Sequence, residues 1–149
     1  MNWISVFGLI IVILLLIPNI IYFRKNKTIT NHYHNPVVLT LEQLGRYGSM
    51  FLMVFSIGIS EFGFRSKGIF LLWLCIHIIF ILFYWLLWIF YFKKPRTMIS
   101  ILLAVVPGVL FLNQGILLGH WLLVIFGLVF SISHIYITNK NLGYEAEKR

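Results

Sequence analysis

From Ile69 to Phe92 the chain runs for 24 residues without a formal charge, and Lys93, Lys94, Pro95 and Arg96 close the run. Few structures can hold such a stretch. About 20 helical residues cross the ~30 Å hydrocarbon core, and in hydrocarbon only helices and closed barrels satisfy every backbone N–H and C=O. The run is apolar throughout, with no alternation, which selects the helix. Composition extends the argument to the whole chain. Charged residues make up 11% of 149, against roughly 25% in a soluble domain. The expected fold class is all-α: a single integral membrane helical bundle of about five transmembrane helices, N-terminus outside and C-terminus inside.

The spans are expected at about 3–23, 46–62, 69–92, 98–113 and 116–138, with 24–45 an inner polar loop and helix start and 139–149 a cytoplasmic tail. The first runs from Trp3 to Phe23 against Arg24, Lys25 and Lys27. A signal peptide carries its charges ahead of the apolar region and a small-residue cleavage site behind it. Neither is present, so the segment is expected to stay. Asn35-Pro36 reads as a cap followed by a first-turn proline, starting a helix that reaches about Ser60 and enters the membrane near Gly48. The last stretch is open to two readings. Asn113-Gln114-Gly115 is either a tight outer turn between two helices, or part of a fourth span that continues to Gly119 before a shorter fifth. Pro18-Asn19 and Pro107-Gly108 are expected to kink their helices.

Orientation follows from charge. Short cytoplasmic loops collect Lys and Arg. With the N-terminus outside, Arg24, Lys25, Lys27, Arg46, Lys93, Lys94, Arg96, Lys140, Lys148 and Arg149 lie inside, and Arg65 and Lys67 outside. These clusters between apolar runs account for the net charge of +8 as topology signals, so no nucleic-acid partner is expected. The lone Cys75 excludes an intramolecular disulfide.

Polar residues inside such a bundle are the functional candidates, because hydrocarbon makes them costly. Glu42, Arg46, Ser49, Met53, Ser56 and Ser60 are spaced to share one helical face. Small and hydroxylated residues there make a packing seam or the wall of a polar path. Glu42 and Arg46 form an i,i+4 pair in the favourable order. His120, Val124, Gly127, Ser131 and His134 form a second stripe, and Trp73, His77, Phe80, Tyr84, Trp88 and Tyr91 an aromatic one. Depth groups Glu61, His77 and His120 in the outer half, and Asn19, Arg46 and His134 near the inner face. His120 and His134 stand about 21 Å apart along their helix, too far to share a metal ion. His32-x-His34 is a weak ligand pair. The candidate residues are therefore Glu42, Arg46, Glu61, His77, His120 and His134, with no catalytic, metal or cofactor-binding set and no cofactor expected.

Asn31-x-Tyr33-x-Asn35, then Leu41-Glu42-Gln43-Leu44-Gly45-Arg46-Tyr47-Gly48, then Glu61-Phe62-Gly63-Phe64 is similar to a group of small bacterial multi-pass membrane proteins with no assigned activity. The resemblance covers most of the chain. It implies the architecture and a bacterial cytoplasmic membrane, and it draws attention to Glu42, Gln43, Gly45, Arg46 and Gly48. For function, the first expectation is a component acting through partner proteins, or an accessory or protective membrane protein. The partners expected are the lipid bilayer and a second copy or another membrane protein. A small oligomeric transporter or channel for a proton, ion or small solute is the alternative, and a membrane-embedded enzyme the second. A polar cavity reaching Glu61 and His77 would favour transport, and a sealed bundle would favour a partner protein.

Overall fold

The computed structural model describes residues 4–25, 32–55, 57 and 64–147. Among these the chain is all-α, with five helices: α1 (Val6–Lys25), α2 (Pro36–Val54), α3 (Lys67–Lys93), α4 (Thr97–Leu118) and α5 (Trp121–Glu147). Four of them, α1, α3, α4 and α5, are long and apolar enough to cross a membrane. The fifth, α2, carries Glu42 and Arg46 within its 19 residues. It is still about 28 Å long at 1.5 Å per residue.

Local chemistry explains most of the boundaries. Asn35 caps α2 by accepting from the Val37 N–H at 3.0 Å, with Pro36 in the first turn. Ser66 caps α3 through the Ile69 N–H. α4 ends at Gly119, whose φ of +66° is a left-handed conformation that glycine adopts without a Cβ penalty. The turn to α5 is therefore at Gly119 and His120, and Asn113-Gln114-Gly115 lies inside α4. This corrects the tight-turn reading. The alternative reading had the right break, but α5 is not short, since it continues to Glu147 through residues expected to form a tail. α2 also differs from expectation. It stops at Val54, before Ser60, because Phe55 is extended (φ −104°, ψ 115°) and pairs with Ile4, while the Ser5 N–H donates to the Val54 carbonyl. Ser56, Ser60 and Glu61 lie outside the described residues. Both α1 and α4 run unbroken through Pro18 and Pro107.

Successive helices alternate in direction. One end of the bundle carries Arg24, Lys25, Lys93, Lys94, Arg96 and Lys140, and we call it the basic end. In space the helices close a ring in the order α1, α2, α5, α4, α3 and back to α1, with α2 also touching α4. Glycines set the closest approaches. A Cβ on Gly45 would stand 2.6 Å from the Phe130 backbone nitrogen, and one on Gly108 would stand 2.2 Å from the Ser131 hydroxyl. The α5 stripe with Gly127 and Ser131 is thus a contact face towards α4. The α3 stripe is a core face, with Trp73, His77, Tyr84 and Trp88 buried.

Candidate functional site

The ring leaves a cavity of about 400 Å³ in the half of the bundle towards the basic end. Its size falls within the roughly 300–1,000 Å³ of small-molecule sites. All five helices contribute, and most of the wall is apolar or aromatic: Leu15, Tyr84, Trp88, Leu103, Phe111 and Phe130. Asn19, Arg46 and His134, expected from sequence to share the inner depth, all reach this one space.

α2 brings Arg46 to the cavity because Gly45 and Gly48 let its face lie against Phe130 and Phe126 of α5. Arg46 Nη2 donates to Glu42 Oε1 on the preceding turn. His134 on α5 completes the group. Its Nδ1 lies 2.9 Å from the same carboxylate oxygen and 3.4 Å from Arg46 Nη2. The carboxylate distance fits an Nδ1–H donor, with Nε2 left as the acceptor in the neutral ring. The His134 ring stacks on Phe130 at 4.9 Å, and the Arg46 guanidinium lies 5.8 Å from the same ring. Side-chain exposure grades outward, from 8% for Glu42 to 25% for His134 and 31% for Arg46. The anion is thus enclosed and its two partners border the cavity. An isolated buried carboxylate is costly, whereas one that accepts from two donors is not.

A second polar layer sits deeper, towards the opposite end. The Trp73 indole N–H donates to Gln114 Oε1 on α4. His77 stacks beneath Trp73 at 4.5 Å, and its Nδ1 lies 2.9 Å from the Trp73 carbonyl oxygen. His120 stands at the start of α5, where its Nδ1 accepts from the Leu123 N–H at 3.3 Å. His77 and His120 are therefore buried and locally bonded, each with its Nε2 lacking a hydrogen-bond partner among the described residues. Neither lines the cavity. Glu61, their expected partner, lies outside the described residues.

Gln114 escaped the sequence reading because Asn-Gln-Gly resembles a turn. The available signal was an amide between two apolar stretches, a residue that must find a partner in hydrocarbon. Asn19 is expected at this depth from sequence, and the structure adds its role. It donates to the Leu15 carbonyl and to the Tyr84 hydroxyl, joining α1 to α3 at the cavity wall. His32 and Tyr33 place the start of α2 on α5, their backbone N–H groups donating to Asn141 Oδ1. Among the described residues no group of three His, Cys, Asp or Glu side chains is arranged to hold a metal ion.

The chain matches no family model, no curated protein and no solved structure.

Proposed function

We propose that this protein is a non-catalytic accessory component of the cell membrane that acts by binding, either a partner or a membrane-borne small molecule, and does not conduct or convert. One observation carries the reading: the cavity is blind. One to two turns beyond its deepest residues, Ile11, Met53, His77, Gln114 and Leu123 are each 7% exposed or less. A conduction path needs a continuous hydrated or polar lumen. Here a buried layer stands between the cavity and the opposite end. The Glu42–Arg46–His134 group is satisfied internally, which suits a fixed recognition element at the cavity wall.

A transporter is the second reading. It is favoured by Ser49 Oγ, His77 Nε2 and His120 Nε2, three buried polar atoms in or near the closing layer with no hydrogen-bond partner among the described residues. Such atoms are costly in a dry core, and a proton relay would use them. Reconstituted vesicles separate the two readings. Internal pH and ion-sensitive dyes are followed under imposed proton, potassium and chloride gradients. The binding reading expects rates equal to those of protein-free vesicles. Protein-dependent flux that is lost in folded His77→Phe would overturn it in favour of transport.

A further inference from the structure

We infer that the cavity is a binding site for a single-chain amphiphile with an anionic head group, taken from the membrane through the gap between α1 and α2. The inference rests on the binding reading above and names its ligand class.

The gap follows from how the two helices are held. They meet at the end away from the basic clusters, where a Cβ on Gly8 would collide with the Met53 carbonyl and Ser5 bonds to Val54. Towards the basic end their partners differ. α1 is held to α3 through Asn19–Tyr84, Tyr22–Trp88 at 5.3 Å and Lys25 over Phe92. α2 is held to α5 through Gly45–Phe130 and the His134–Glu42 hydrogen bond. The cavity lies between these two attachments. Ile20, Phe23 and Tyr47 line it while being 48%, 58% and 64% exposed. In a bundle spanning the bilayer, that mouth faces acyl chains.

The far wall fits a tail and the α2 wall offers a cation for a head. Leu15, Leu103, Ala104 and Phe111 line it and are all buried, and their side chains provide no polar group that a hydrocarbon chain would strand. On the α2 wall stands Arg46. Its guanidinium has five donors, and the contacts to Glu42 and His134 are both made at Nη2. Among the described residues no hydrogen bond engages Nε–H or Nη1, and an acceptor in the cavity that Arg46 lines could take them. Arg presents these donors in a planar fork that matches a carboxylate or a phosphate. Arg24, Lys25, Lys93, Lys94, Arg96 and Lys140 gather at the same end, so the surrounding potential also favours a negative head.

Binding of radiolabelled oleate to the full-length protein in phosphatidylcholine nanodiscs, with protein-free discs as background, tests the inference. The expected result is saturable binding of about one oleate per chain, as one ligand in this cavity requires. Oleyl alcohol should compete at least about tenfold more weakly, as expected for loss of a charge-assisted hydrogen bond. Oleoyl lysophosphatidate as a second competitor reports whether the site prefers a phosphate or a carboxylate. Arg46→Gln should erase the preference for acid over alcohol, and Arg46→Lys should retain part of it. Ala104→Phe, which fills the cavity, should abolish binding by either probe. Oleyl alcohol competing as well as oleate on the parent would refute the anionic head while leaving the cavity as a binding site. Full binding by folded Ala104→Phe, or no saturable binding of any probe, would refute the site itself.

Discussion

Pro18 removes one hydrogen-bond donor from α1, and the bundle replaces it. Proline has no N–H for the carbonyl four residues back, which here belongs to Leu14, and the Trp85 indole N–H of α3 donates to that oxygen at 3.0 Å. Gln114 meets the same kind of need from the other side. It is 1% exposed and accepts from Trp73, also 1% exposed, so each satisfies a group that the other would strand. Gln114→Leu keeps the volume and removes the acceptor. It should lower stability by about 1–3 kcal/mol, the cost of a buried donor left unpaired. Trp73→Phe in the same chain removes the stranded donor, so the double variant should lose less than the two single losses added together. Thermal unfolding in one detergent measures all four proteins, and strict additivity would mean that the indole and the amide do not interact.

At the scale of helices, the contacts that close the ring are made by small residues. Without a hydrophobic driving force between helices in lipid, association relies on close packing and interhelical hydrogen bonds. The α2 face reads in this way: Gly45 against Phe130, Gly48 against Phe126, and Ser49, the next residue, fully buried. Gly45→Val should therefore separate α2 from α5. The obstacle is backbone, which cannot rotate away, so the loss should reach about 3 kcal/mol, the upper end of usual overpacking costs. Because Glu42 lies one turn before Gly45, this variant should also lose the His134–Glu42 hydrogen bond. Gly143 is the control, since nothing lies within 4 Å of a Cβ built there. Gly143→Ala should raise stability by up to about 1 kcal/mol through helix propensity alone. Equal effects at the two positions would contradict the packing account.

At the scale of the molecule, the bundle has one basic end, and the tendency of Lys and Arg to collect on the cytoplasmic side predicts that this end faces the cytoplasm. Exposed Lys67 and Lys140 mark opposite ends of the bundle. In a chain with Cys75 replaced by Ala, Lys67→Cys should react with an impermeant thiol reagent applied to intact cells. Lys140→Cys should react only after the membrane is opened. The reverse pattern would invert the topology and put the cavity in the other leaflet.

Periodicity and charge determined the helical class, the approximate places of α1 and α3, the cap at Asn35, and which faces of α2, α3 and α5 turn inward. These are local properties, set by residues within a turn or two of one another and by the energy of apolar side chains in hydrocarbon. The grouping of Asn19, Arg46 and His134 by depth was also legible, because rise per residue converts position into depth. What the tertiary structure alone decided is where helices meet and where they part. Gln114 is helical because α3 supplies a donor for it; its neighbours in sequence suggest a turn. α2 belongs in the bundle despite Glu42 and Arg46 because His134, 88 residues from Arg46, completes their pairing. The cavity is not a property of any segment. It exists because α1 is held to α3 and α2 to α5, and a void between differently held helices follows from contacts distant in the chain.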